Sequence, residues 1–284
     1  MILVTGATSH TGCRLVSRLV EGGHDVRCLV RTPQREKHLP IDKIEIARGD
    51  LRHREKILAA LEGVDILVNV AHIRFTTGLI PLLEEKGISR AIFMSSTRRY
   101  TRFPCPSATQ VIQGEEIIRK SGLNYTILRP TMIYGGPRDN NMSKLVDQIR
   151  RRRLFPLIGN GKNLIQPVFV WDLVEAMVYC LEHPQTAEKE YTLAGPEPLS
   201  YRRILETIAD GMNRKIHLIP APLSLCILGA RIYEKMAQKP RITAEQVRRF
   251  GEDKAFDIEQ AKSEINFHPR SFEAGIRLKL AGEV

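Results

Sequence analysis

Gly6 and Gly12 frame the stretch TGATSHTG (residues 5–12), and Ser9 stands midway between them. The stretch follows Ile2-Leu3-Val4, an apolar run too short for anything but a strand. It precedes CRLVSRLVEGG (13–23), whose Leu15, Val16, Leu19 and Val20 share one helical face and whose Gly22-Gly23 make a stop. A strand, a tight turn and a helix in that order bring backbone N–H groups to a helix N-terminus, where they can hold a phosphate. Gly6 suits the turn, and Gly12 lets the helix lie close on the strand. Ser9 occupies the position where a third glycine would ease approach, but its hydroxyl can donate to a phosphate oxygen. His10 can contact a phosphate as well, and Thr11 completes the loop. The spacing predicts a dinucleotide pyrophosphate site.

A second position bears on which dinucleotide. DVRCLVR (25–31) reads as the next strand, ending in Arg31, with Arg35 and Lys37 soon after. An acidic residue here would hold a ribose 2′-OH, whereas an arginine suits a 2′-phosphate. Arg31 therefore predicts NADP as cofactor, with NAD as the alternative.

The elements that must position these residues alternate along the chain. KIEIARGDL (43–51), DILVNVAH (65–72), RAIFMSS (90–96) and NYTILRP (124–130) read as strands. EKILAALEG (55–63), a short helix around GLIPLLEEKG (78–87), and QVIQGEEIIRKSG (110–122) read as helices between them. Short, continuously apolar strands in βαβ order mean a parallel sheet covered on both faces. The expected fold is α/β, a Rossmann-type doubly wound parallel sheet with a smaller, mostly helical C-terminal substrate lobe. Residues 1–135, with about 165–183, are expected to form the dinucleotide-binding unit. About 136–164 and 184–284 are expected to form the smaller lobe.

Composition narrows the function classes. The 284 residues are 43% hydrophobic and 26% charged, which suits a soluble globular protein. No signal peptide precedes the first strand, and the apolar stretch 218–228 is too short and too interrupted for a transmembrane segment. The five cysteines form no CxxC pair, so reduced thiols in a cytoplasmic protein are expected, and no metal site. The net charge is +11, with one cluster at Arg150, Arg151, Arg152 and Arg153. This cluster ends a predicted helix, where cations are favoured by the dipole. A solvated helix end is the first reading, and an anion or partner patch the second. Few aromatics interleave with the charges, which argues against nucleic acid.

Further segments occur in a telling order: GDL (49–51), NVAH (69–72), SST (95–97), SGLNYTILRPTMIYGG (121–136), GNGKNLIQPVFVWDLVEA (159–176) and AGPEPLSYRRILETIA (194–209). With them the whole chain resembles the extended or atypical short-chain dehydrogenase/reductases. It is similar to the branch holding NAD(P)-dependent sugar-nucleotide epimerase/dehydratase-like proteins, NmrA-like proteins and the complex I accessory subunit of this fold. The resemblance implies that Asp50 and Leu51 flank the adenine, that Ala71 lines the cofactor after the fourth strand, and that Pro130 lies beside the nicotinamide.

The catalytic residues depart from that pattern. Such enzymes use a Ser or Thr after the fifth strand and a Tyr-x-x-x-Lys pair on the following helix, the lysine lowering the tyrosine pKa. Thr97 fits the first role. Aligning Glu115 with the family helix puts the lysine position on Val111 and the tyrosine position on Ser107, and no YxxxK occurs between Thr97 and Lys120. Tyr100, with Arg98, Arg99 and Arg102 beside it, is the candidate replacement proton donor, because nearby cations lower a phenol pKa. Family members often carry an arginine for the substrate diphosphate where this chain has Ile165-Gln166. Arg98, Arg99 and the 150–153 cluster suit an anionic small-molecule substrate instead. Three readings follow: an NADP(H)-dependent oxidoreductase or epimerase-like enzyme, a non-catalytic dinucleotide sensor, or an assembly or membrane-associated protein.

Overall fold

The computed structural model describes residues 1–103, 105–137, 139, 141–237 and 243–283. The first part of the chain runs β1 (Ile2–Thr5), α1 (His10–Glu21), β2 (Val26–Val30), β3 (Glu45–Arg48), α2 (Arg54–Ala60), β4 (Ile66–Asn69), α3 (Thr76–Glu85), β5 (Arg90–Met94), α4 (Pro106–Arg119) and β6 (Asn124–Pro130). There follow β7 (Ile133–Tyr134), α5 (Met142–Arg151), β8 (Leu154–Ile158), β9 (Leu164–Ile165), β10 (Val168–Phe169), α6 (Val170–Glu182) and β11 (Lys189–Leu193). The last part holds β12 (Leu199–Ser200), α7 (Tyr201–Gly211), β13 (His217–Ala221), α8 (Leu223–Met236), α9 (Ala244–Phe250), α10 (Glu259–Ile265) and α11 (Phe272–Ala281).

Seven strands form one parallel sheet in the order β11-β6-β5-β4-β1-β2-β3. The order reverses beside β1, so β1 and β4 flank the switch point where α/β sheets bind ligands. Thr5 is level with both Leu29 and Asn69, and its hydroxyl donates to Asn69 Oδ1 at 2.6 Å. The strands are apolar on both faces because helices cover both. Val4 faces a cluster with α1, α6 and α10, while Leu3 faces a cluster with α2, α3 and α4. Leu3 and Val4 are fully buried, and truncating Leu3 to Ala would cost about 2–5 kcal/mol.

Several boundaries differ from the sequence reading. The first helix starts at His10 rather than Cys13, because Ser9 caps it. The fourth starts at Pro106 rather than Gln110, with the proline in its first turn, where no N–H is missed. α3 tolerates Pro81 and begins at Thr76. β11 joins the main sheet beside β6, and Ile258, Ala261 and Ile265 pack into that sheet's core. Residues 184–284 therefore do not all belong to a separate lobe. A further apolar cluster gathers Tyr134, Met142, Phe155, Ile204, Ile208 and Phe272 beyond the sheet.

One buried ion pair holds that region to the end of the sheet. Lys279 Nζ on α11 lies 2.8 Å from an Asp139 carboxylate that is 1% exposed, and it donates to the Gly136 carbonyl and Ser143 Oγ. Asp139 accepts from the Gly135 and Ser143 amides as well.

Candidate functional site

The residues singled out in the sequence fall along the C-terminal edge of the sheet, one after another. From one side, Asp50 follows β3, Arg31 follows β2, Gly6 follows β1, Ala71 follows β4, Thr97 follows β5, and Pro130 ends β6. They are brought together by strand order alone.

The glycine turn sits at the middle of this row. Gly6 has φ +70°, and a Cβ there would press on the Ala71 amide nitrogen at 2.6 Å. Only glycine suits both the torsion and the closeness to the end of β4. A Cβ on Gly12 would run into the Gly6 carbonyl oxygen. These two missing side chains keep a backbone cradle open at the N-terminus of α1, whose first turn carries no acidic residue. Ser9 Oγ accepts from the Gly12 amide at 3.0 Å, which leaves its own proton to donate. Thr11 is buried, and His10 lies half-buried at the first helical position. Arg14, which the sequence reading passed over, is 8% exposed and donates to the His10 carbonyl at 2.9 Å. A Cβ on Gly136 would strike its guanidinium, so a buried cation lies behind the turn. Nothing in the sequence marks it, because its neighbours three and four residues away, His10, Thr11, Ser17 and Arg18, are all polar.

The end of the row at β2 and β3 is more cationic than expected. Asp50 accepts from Arg52 through its amide, Nε and Nη2, and meets Arg31 Nη1 at 3.4 Å. The hydrogen bonds from Arg52 hold the Asp50 carboxyl far below the usual range. Arg31 remains exposed and only loosely held, and Arg35 and Lys37 are exposed on the turn after β2. Leu51 packs against the apolar cluster under the sheet.

At the other end, Thr97 Oγ1 donates to the Pro130 carbonyl at 3.3 Å, joining the ends of β5 and β6. Tyr100 is 46% exposed and packs against Phe256, with ring centroids 5.7 Å apart. Arg99 at 5.4 Å and Arg129 at 5.9 Å lie over its ring. Its loop is held to the 249–256 segment, because Thr101 Oγ1 and the Arg102 amide both donate to Glu252.

Beneath that loop lies a feature the sequence reading missed. Glu115 on α4 is fully buried and accepts from Ser95 Oγ at 2.5 Å, from Arg129 through Nε and Nη2, and from Arg119; Arg99 pairs with it too. Glu190 on β11 completes the cluster by accepting from Arg119 and Arg129. Arg99 is thus committed inward. A signal was present: Glu115 lies between Val111 and Ile118 on the helix's apolar face. Val111 is 3% exposed within the core, and Ser107 faces Cys105 Sγ at 3.3 Å, so neither supplies a proton relay. Lys120, at the far end of α4, lies about 20 Å of helix from Ser107. Gln166 does not replace a diphosphate-binding arginine, because it donates to the Gly195 carbonyl and accepts from the Phe256 amide.

A glycine-lined turn at the switch point of a doubly wound parallel sheet defines a Rossmann-type protein. The profile of the NAD(P)H-binding family matches residues 6–152, and the chain belongs to that family, within the extended short-chain dehydrogenase/reductase superfamily. Among relatives, an N-acetyl-alpha-D-glucosaminyl-diphospho-ditrans,octacis-undecaprenol 4-epimerase of Escherichia coli O157:H7 is 21% identical, over 97% of this chain and 92% of its own. An NAD(P)H azoreductase of Xenophilus azovorans is 23% identical over 78% of each chain. The crystal structure of gox2253 superposes with a TM-score of 0.81 at 22% identity, covering 99% of this chain and 97% of its own.

Proposed function

We propose that the protein is an NADP(H)-preferring oxidoreductase acting on a small molecule, and that the molecule is an electron-poor acceptor rather than a sugar nucleotide. The carrying observation is the row of residues along the sheet edge, cationic at its Arg31 and Arg52 end and open at the Gly6–Gly12 turn. The glycine cradle fits a pyrophosphate, with Ser9 and the first-turn amides of α1 as its donors. Arg31, with Arg52 close by, suits the 2′-phosphate. NADPH, when bound, supplies a hydride equivalent. Thr97 and Pro130 shape the far end, and exposed Arg98 favours an anionic substrate.

The choice of acceptor follows from the missing base. Epimerisation begins by taking a proton from a substrate hydroxyl, which the Tyr-x-x-x-Lys pair performs in such enzymes. Ser107 and Val111 cannot do this. Reduction of an electron-poor bond needs no such base, and its proton can come from water or Tyr100. The azoreductase relative is in keeping with that chemistry. The same two residues favour a second reading, a dinucleotide sensor without turnover.

Calorimetric titration with NADPH and NADH, followed by an acceptor screen, separates these. NADPH is expected to bind more tightly than NADH. Arg31→Ala should weaken NADPH alone, by about 10- to 150-fold for one charge-assisted phosphate contact. Equal effects on both dinucleotides would refute the 2′-phosphate role. Tight binding with no consumption of NADPH by any azo or quinone acceptor would favour the sensor.

A further inference from the structure

Nine large apolar side chains stand well exposed among the described residues, and seven of them lie on β8, β13 and α8. The helix carries most of them. Leu225, Leu228, Ile232 and Met236 recur at intervals of three, four and four, so they form one stripe along about 17 Å of helix. Their exposures run from 52% for Ile232 to 80% for Met236. The opposite face is already used, since Leu223, Cys226, Ile227 and Ala230 pack with Ala244 and Val247 of α9. The helix therefore has two apolar faces, one in the protein and one in water.

The strand pair that runs into this helix repeats the pattern. Register places Leu154 beside His217 and Pro156 beside Ile219 on one face, and Leu154 and Ile219 are more than half exposed. The charged residues that flank these surfaces along the chain are mostly cations. Arg231 and Lys235 each precede a stripe residue, so they line one shoulder of the stripe. Arg151, Arg152 and Arg153 lead directly into β8, and Lys215 lies two residues before β13; all four are exposed. The one acidic residue of α8, Glu234, lies on the half-buried side.

We propose that α8 and the β8–β13 ribbon dock on an anionic lipid bilayer, the stripe dipping among acyl chains and the cations meeting headgroup phosphates. An aliphatic stripe shouldered by Lys and Arg is the pattern of a helix lying in the membrane interface. A protein partner site would favour Tyr, Trp and polar groups able to orient a ligand, and the stripe itself has none. No described helix is long and apolar enough to cross a membrane, so the contact is peripheral. It would place this basic chain, at +11, against a negative surface.

The test is co-sedimentation of the full chain with vesicles of phosphatidylcholine mixed with phosphatidylglycerol, and with phosphatidylcholine alone. The protein should pellet with the anionic vesicles only, and added salt should release it. Leu225→Ser/Leu228→Ser/Ile232→Ser and, separately, Arg231→Glu/Lys235→Glu should each lower the bound fraction by about tenfold. Unchanged melting temperature and NADPH binding would show that both variants are folded. Wild-type protein remaining in the supernatant with both vesicles would overturn the proposal. So would full binding by the serine variant. Light scattering that shows a dimer abolished by the serine variant would assign the face to a second copy of this chain instead.

Discussion

Replacing Glu115 by Ala tests the cluster that joins α4 to the ends of β5 and β6. Glu115 is fully buried, and its two oxygens take bonds from Ser95, Arg99, Arg119 and Arg129. Without it, three guanidiniums would share the single carboxylate of Glu190. Arg99 and Arg119, at 22% and 31% exposure, can swing into water; Arg129, at 6%, cannot. The penalty is thus set by one trapped cation, and losing one partner of a buried pair costs about 3–5 kcal/mol. For a chain of this size that corresponds to a fall in melting temperature of about 5–8 °C. Differential scanning calorimetry reads this directly. Glu115→Ala/Arg129→Met should recover most of the loss, because no stranded charge remains. If Glu115→Ala melts within about 2 °C of wild type, or if the double variant is worse than the single, the trapped-charge reasoning is wrong.

Three further outcomes follow. Gly12→Val should lose dinucleotide affinity by about 100-fold or more in the same titration, because its Cβ meets backbone rather than a movable side chain; retained binding would deny the cradle. Burial opposes the charge on Glu190, but hydrogen bonds and attraction from Arg119 and Arg129 outweigh it and lower its pKa to about 2. That stabilisation is complete above about pH 4.5 and fades as pH falls towards 2, so urea midpoints should drop across this window and drop less in Glu190→Gln. Burial pushes the Cys28 and Cys180 thiols up to about 12, and Cys13 and Cys105 are buried too, so a thiol reagent at neutral pH should modify Cys226 first. A fast phase that survives in Cys226→Ser would contradict that order.

What the sequence disclosed was whatever is settled locally. Gly6, Ser9 and Gly12 lie within one turn, and a strand-turn-helix needs only neighbouring residues to be recognised. Arg31 was legible for the same reason, as a strand terminus. Arg52 beside Asp50 was not weighed, although it lies two residues away, because its contact depends on how the chain turns after β3. The Glu115 cluster draws on α4, β5, β6 and β11, and nothing local announces that four elements converge there. The pairing of Asp139 with Lys279 is still more remote in sequence. Two-residue strands such as β7, β9 and β12 carry no period to detect.

The route of the chain through the main sheet has a consequence for how such proteins diversify. β11 closes the sheet against β6, and α6 packs with α1, yet both are encoded after the 133–165 segment that feeds the other apolar cluster. A gene cut after β6 would leave that strand's edge bare and strip α6 and α10 from the α1 side of the sheet. Neither half can be passed between genes as a self-sufficient cassette. New specificities in this architecture must therefore arise by drift within loops that are already woven through the sheet, with the dinucleotide scaffold inherited alongside them.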